Sequence, residues 1–194
     1  MSQEQIKEVA LGLELSQVNF IWIVRFLKEE MVSESEFHWS YAHAQSFPFG
    51  FQERLGEDRA LLVDSWASQR EILTHPSVGG FLTHCGWSSV MEGIGLGVPI
   101  IALPMQFDQP FNAKLVMDIG VGVEVARTDQ GMVGRFNRDE IARGIQRVMI
   151  EKGGVRIRRK AKEITKTITN CVEKEEIDML IKKMVALNVE RGKM

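Results

Sequence analysis

The chain is poor in the residues that announce special architectures: two cysteines, five prolines and one tyrosine among 194 residues. Two cysteines, Cys85 and Cys171, are too few and too far apart for a secreted disulfide framework, which points to a reducing compartment. Charge of one sign is missing as well. The 24 basic and 26 acidic residues leave a formal net charge of -2, so no global field favours nucleic acid or an anionic membrane. Long apolar runs are absent. The most hydrophobic stretch, Val98 to Met105, is broken by Pro99 and Pro104 and falls far short of the roughly 18 residues a membrane helix needs. It reads as a buried strand. The opening residues, Ser2-Gln3-Glu4-Gln5, are polar and do not resemble a signal peptide. The expectation is a cytoplasmic globular protein, because 44% hydrophobic content suffices for a core and excludes disorder.

What is present is a regular alternation. Ser2 to Leu15 reads as a helix, with Ser2 and Gln5 in a capping pattern and Ile6, Val9, Ala10 and Leu13 at helical spacing. Phe20 to Phe26 is almost continuously apolar, as a strand covered on both faces is. Residues 31–54, aromatic and histidine-containing without a clean period, read as a loop or insertion. From Ala60 onward, strands at Ala60–Asp64, Gly79–Thr83, Val98–Leu103 and Val121–Ala126 alternate with helices at Gln69–Thr74, Ser88–Leu96 and Pro110–Asp118. That order predicts βαβ units, hence an α/β domain on a parallel sheet.

From Asn137 the chain reads as all helix. Asn137 and Glu140 form a capping box ahead of Ile141, Ile145 and Val148. Gly153-Gly154 is expected to break the run before a helix from Val155 to Cys171, and a last amphipathic helix is predicted over about Glu175 to Asn188. Residues 1–172 are thus expected to form the α/β domain and 173–194 a helical tail. The basic cluster Arg156, Arg158, Arg159, Lys160 and Lys162 has Glu163, Glu173, Glu175 and Glu176 close by, so it reads as a solvated helix face.

The chemistry concentrates between Trp66 and Gln109. Thr83-His84-Cys85-Gly86-Trp87-Ser88-Ser89 lies where a strand ends and a helix begins, the place where open parallel sheets bind ligands. Unpaired N–H groups and the positive end of a helix dipole suit a phosphate there. Gly86 lets backbone approach an anion closely, Ser88 and Ser89 add hydroxyls, and His84 offers a donor to a diphosphate oxygen. Each feature has a purely structural alternative. Ser89 and Glu92 fit a capping box, His84 a satisfied core histidine, and Trp66 and Trp87 packing residues. After the next strand, Asp108-Gln109-Pro110 joins a carboxylate to a carboxamide, the acceptors and donors that vicinal sugar hydroxyls require. Helix capping explains one of the two easily and both less well.

Competing motifs are missing. There is no Gly-x-x-x-x-Gly-Lys-Ser/Thr loop and no Gly-x-Gly-x-x-Gly after a strand, so a nicotinamide-dependent oxidoreductase on the same sheet lacks its fingerprint. No Gly-x-Ser-x-Gly elbow, His-Glu-x-x-His or paired Cys-x-x-Cys appears. Cys85 beside His84 invites a thiol-nucleophile reading, but neighbours on an extended chain point to opposite faces.

Residues 66–109 strongly resemble the signature box of plant family 1 UDP-sugar glycosyltransferases. The matching pieces are Trp66-Ala67-x-Gln69, Ile72-Leu73-x-His75, Phe81-x-Thr83-His84-Cys85-Gly86-Trp87, Glu92, Gly97-Val98-Pro99 and Asp108-Gln109, followed by Asn112-Ala113. The likeness extends more loosely over the whole chain and is greatest to the branch that adds a sugar to an existing glycoside. The resemblance implies the C-terminal, Rossmann-like domain of a GT-B fold, with a helical tail that packs back toward an N-terminal domain. It implies that Trp66 stacks on uracil, the backbone of Ala67 pairs with its edge, and Gln69 and Glu92 hold the ribose hydroxyls. His84, Ser88 and Ser89, with Gly86 beneath them, would bind the diphosphate; Trp87, Asp108 and Gln109 would bind the sugar, with glucose the associated donor.

No metal or other cofactor is implied, since the UDP-sugar is a co-substrate. Two departures stand out. Ser68 replaces the usual proline, a change expected to loosen the turn beneath the uracil, and Ser88 replaces a commoner asparagine, leaving the α-phosphate to Ser89 and backbone N–H groups. Phe37 to Phe51 matches poorly. In the family the reaction is inverting displacement, with a histidine base oriented by an aspartate in the N-terminal domain. None of His38, His43, His75 and His84 sits in a matching context, so no catalytic residue is assigned. The expectation is a donor-binding half that lacks its base and the strand before its first helix. It would be inactive alone, with an N-terminal half supplied in trans and a small molecule or its glycoside as acceptor. The alternative is a truncated, non-catalytic protein that binds UDP-sugar or a partner chain.

Overall fold

Among the described residues, five short strands lie in two parallel sheets, and the first helix, α1 (Gln3–Ser16), packs against both. The computed structural model describes residues 1–24, 47–56, 58–127 and 135–171. β1 (Phe20–Ile23) pairs with β2 (Ala60–Val63), placing Phe20 opposite Ala60 and Ile23 opposite Val63. β3 (Phe81–Thr83), β4 (Ile100–Ala102) and β5 (Gly122–Glu124) form the second sheet in that order, with Phe81, Ile100 and Gly122 in register. The α/β architecture is the one the alternation predicts. The division into two ladders is not, because the sequence suggests one sheet short of a strand. Among the described residues no strand pairs with the second edge of β1 or joins it to β3.

α1 holds the two sheets together through opposite sides of one apolar stripe. Val9 and Leu13 pack with Ile101, Leu103, Val123 and Val125 of the larger sheet, and with Ile141, Ile145 and Val148. Ala10 packs instead with Val24, Phe51 and Leu55, beside Ile6, Ala60 and Leu62. Each large aliphatic side chain buried this way contributes about 1.5–3 kcal/mol. The helix starts as its sequence suggests, with Ser2 Oγ accepting from Gln5 N–H at 3.3 Å. Two ion pairs frame it: Glu14 with Arg54 at 2.6 Å and Glu8 with Arg138 at 2.5 Å.

The remaining helices are α2 (Phe51–Leu55), α3 (Gln69–Thr74), α4 (Trp87–Leu96), α5 (Gln109–Asp118), α6 (Arg138–Met149) and α7 (Lys152–Cys171). α2 corrects the expected loop over 31–54 at its end, because Phe51 and Leu55 are buried and draw a single turn into the core. Residues 31–46 lie outside the described set, as do the predicted last helix over 175–188 and the tail 173–194. Asn137 caps α6 through a 2.9 Å bond from Glu140 N–H to its Oδ1. The helical run is interrupted, but at Ile150 and Glu151, just ahead of Gly153-Gly154. Both glycines lie in the first turn of α7, where a Cβ on Gly154 would stand 2.2 Å from the carbonyl oxygen of Val148. The missing side chain lets α7 turn tightly off α6. The basic residues Arg156, Arg159, Lys160 and Lys162 are exposed on α7, and Arg159 reaches Glu163 at 3.6 Å.

Candidate functional site

The C-terminal ends of β2, β3 and β4 each run into a helix, α3, α4 and α5, and the residues singled out by sequence sit at these junctions. At the first, Ser68 is the N-cap of α3, with φ -71° and its Oγ accepting from Glu71 N–H at 3.5 Å. That φ lies in the range a proline ring imposes, so serine takes up the same backbone turn. Trp66 is 78% exposed before this turn, too exposed for the packing role that sequence leaves open. Gln69 opens α3, and its Nε2 donates to Glu92 Oε2 of α4 at 2.5 Å.

At the second junction α4 begins at Trp87, one residue earlier than predicted, with Gly86 as N-cap and no side-chain cap. The Ser89–Glu92 capping box therefore does not form. Ser89 is the third residue of the helix and Glu92 is turned to Gln69. The N–H groups of Trp87, Ser88 and Ser89 consequently lack an intrahelical acceptor at the positive end of the helix dipole. His84 is exposed, which excludes a core role among the described residues, and Ser88 and Trp87 are exposed beside it. A Cβ on Gly86 would stand 2.9 Å from His84 Nε2. Gly86 thus makes room for the imidazole of His84, a role additional to the anion approach expected from sequence. Cys85 between them is fully buried at φ +64°, and burial pushes its thiol up to about 12, helped by the charge of Glu124. A neutral, buried thiol is no nucleophile.

At the third junction Asp108 occupies the N-cap position of α5 without a side-chain cap bond. Its Oδ2 instead accepts from Asn112 Nδ2 at 2.8 Å. Gln109 is buried, and its Oε1 accepts from the N–H groups of Met105 at 2.9 Å and Gln106 at 3.0 Å. The carboxamide therefore has only its Nε2 donor left to offer a ligand, where sequence suggests both polarities. Asp108 Oδ1 makes no hydrogen bond within the described residues, so an acceptor remains beside that donor. Phe107 precedes them at φ +57° and is 81% exposed.

Four of the eleven predicted residues border two open depressions. One of about 260 Å³ is bordered by Ser88 and Glu92 together with Arg70. The other, of about 460 Å³, is bordered by His84 and Gln109 together with Met105 and the start of α1, Ser2 and Gln5. Trp66, Ala67, Gln69, Gly86, Trp87, Ser89 and Asp108 border neither. Sequence reasoning treats Ser2 and Gln5 as a cap alone and gives Asn112 no role; an amide four residues after Asp108, one turn along α5, was the available signal.

A sequence profile of the UDP-glucoronosyl and UDP-glucosyl transferase family matches residues 1–134. The chain belongs to that family. It is 45% identical over 190 residues to beta-D-glucosyl crocetin beta-1,6-glucosyltransferase of Gardenia jasminoides, covering 98% of this chain and 40% of that protein. It is 43% identical over 187 residues to cyanidin-3-O-glucoside 2-O-glucuronosyltransferase of Bellis perennis, covering 96% of this chain and 38% of that one. Among solved structures, Phytolacca americana UGT2 complexed with UDP-2fluoro-glucose and pterostilbene superposes with a TM-score of 0.74 at 34% identity, over 96% of this chain and 38% of that one. The chain therefore spans about two fifths of the length of these relatives. The two plant enzymes are named for adding a sugar to an existing glucoside, the branch the sequence resembles. Their names also differ in the sugar transferred, glucosyl in one and glucuronosyl in the other, so family membership alone leaves the donor sugar open.

Proposed function

We propose that this chain is the donor-binding part of a glycosyltransferase that moves a hexose, glucose first among candidates, from a UDP-sugar to a hydroxyl of a small molecule or its glycoside. The observation that carries the proposal is the uncapped start of α4, flanked by exposed His84 and Ser88, at the carboxyl end of β3. Three free N–H groups and a helix dipole there form a place for a diphosphate. Trp66, exposed at one end, stacks on uracil, with the Ala67 backbone at its edge. Gln69 and Glu92, already bonded to each other, take the ribose hydroxyls. His84, Ser88, Ser89 and the Gly86 turn take the phosphates, and Trp87, Asp108 and Gln109 the sugar.

In the reaction an acceptor oxygen forms its bond to the anomeric carbon as the bond to the UDP oxygen breaks from the opposite face, inverting the centre. The acceptor proton goes to a general base. That base is proposed to lie in an N-terminal domain, supplied in trans where this chain acts by itself, with 173–194 packing back toward it. Residues 1–172 form the donor domain in this reading. A cytoplasmic location is proposed with it; no described helix is long and apolar enough to cross a membrane.

The test is a transfer assay with UDP-glucose and a plant glucoside, run with this chain alone and with a separately expressed N-terminal half from a relative. Disaccharide product only in the mixture supports the proposal. Product from this chain alone overturns its incompleteness, and UDP-glucose binding without product in either tube favours a non-catalytic binding protein.

A further inference from the structure

We propose that Asn112 is a positioning residue that couples the sugar end of the donor site to its phosphate end, a role that rests on the donor-site reading above. Asn112 is 8% exposed, on the first turn of α5. Its single side-chain nitrogen makes two bonds in two directions: to Asp108 Oδ2 at 2.8 Å and to the carbonyl oxygen of Cys85, 27 residues earlier, at 3.0 Å. An amide nitrogen carries two protons, so both are used and the side chain has one orientation.

Each end of this bridge fixes something the site needs. Asp108 is exposed and makes no cap bond to its own helix, so the charge-assisted bond from Asn112 is what selects its rotamer, and it engages Oδ2 while leaving Oδ1 without a bond among the described residues. Cys85 is held at φ +64°, a conformation that costs energy for a residue with a Cβ. Its N–H and Sγ turn back on Thr83, at 3.4 Å to Oγ1 and 3.8 Å to the carbonyl oxygen, and its own carbonyl is satisfied by Asn112. That kink delivers the chain to Gly86 and aims the open N–H groups of α4. One amide therefore sets the hydroxyl acceptor and the anion cradle together. Neither aspartate nor leucine, close to asparagine in size, can replace it, because an ionised carboxylate and an alkyl group carry no donor.

The test compares calorimetric affinities for UDP-glucose and for UDP in the unmutated chain, Asn112→Ala, Asp108→Ala and the double variant. Asn112→Ala should lose roughly tenfold or more in UDP-glucose affinity, the scale of a bond to a charged group, and a clearly smaller factor for UDP. Asp108→Ala should lose the same preference for the sugar nucleotide, and adding Asn112→Ala should lower that preference no further. Equal losses for both ligands, or additive losses of preference, mean that Asn112 only supports the fold and overturn the proposal. Unmutated, folded chain that binds neither ligand overturns the donor-site reading as well, so the two failures are told apart. A measurement free of variant folding uses amide exchange in the unmutated protein. Both Asn112 side-chain protons should exchange slowly, and more slowly with UDP-glucose than with UDP; exchange at the rate of a free amide with either ligand overturns the coupling.

Discussion

Gln69 and Glu92 meet at 2.5 Å, joining the first residue of α3 to the second turn of α4. α3 follows the two-stranded sheet and α4 follows the first strand of the three-stranded one, so this bond crosses between the two ladders at their carboxyl ends. It also fixes one oxygen of the Glu92 carboxylate; in the proposed function the other takes a ribose hydroxyl.

From that geometry, Glu92→Ala should weaken UDP binding by about tenfold or more, since bonds to a charged acceptor contribute roughly 1.5–3 kcal/mol. Glu92→Gln, which keeps shape and a Gln69 partner, should retain part of the affinity. Calorimetry with UDP reads both. Equal affinity in all three proteins places the ribose elsewhere.

Gly86 and His84 give a second prediction. The Cβ of Gly86→Ala meets an exposed imidazole at 2.9 Å, not backbone, so His84 swings away and folding stability falls by less than about 1 kcal/mol. Donor affinity should fall severalfold nonetheless. A thermal unfolding curve beside a titration separates the two effects; unchanged affinity means that the place of His84 is unimportant for the ligand.

The Cys85 thiol, pushed up to about 12 by burial and by Glu124, stays protonated throughout the ordinary pH range. Iodoacetamide at pH 8 should leave Cys85 unmodified in the native protein and label it readily in urea. Mass spectrometry of the Cys85 peptide distinguishes this from any reaction at Cys171. Rapid native labelling contradicts both the burial and the exclusion of a thiol mechanism.

The ion pairs of α1 predict an acid response. The bond from Arg138 holds the Glu8 carboxyl below its ordinary value of 4.5, and the bond from Arg54 does the same for Glu14, burial opposing each more weakly. A folded-state value below the unfolded one adds stability that is complete above about pH 5 and fades as pH falls through the depressed range. Glu8→Gln should therefore flatten the loss of melting temperature between pH 5 and pH 3. An identical acid profile in the variant assigns the acid response to other groups.

The pattern of apolar and turn residues was sufficient for all five strands and for α1, α3, α4, α5 and α6, because each is short, periodic and bounded by glycine, proline or a cap. Two features were not legible. α2 hides at the end of an aromatic stretch with no period, and only the burial of Phe51 and Leu55 by α1 and the β1–β2 sheet makes it a helix. Gly154 reads as a breaker but is a close-approach residue, a distinction set by the Val148 carbonyl, which sequence does not place. At the candidate site the residue types were legible, and which atoms remain available was not. Gln109 spends its oxygen on Met105 and Gln106, and Asn112 spends both its protons on Cys85 and Asp108. Such choices depend on long-range packing that no local spacing records.

The most direct test of the account is calorimetric titration of this chain with UDP-glucose, beside Trp66→Ala. Trp66 is largely exposed, so its loss leaves the fold intact while removing a base-stacking face that typically contributes about 1–3 kcal/mol. The account predicts saturable one-to-one binding by the unmutated chain and about tenfold weaker binding by the variant. Folded, unmutated protein that takes up no UDP-glucose contradicts it.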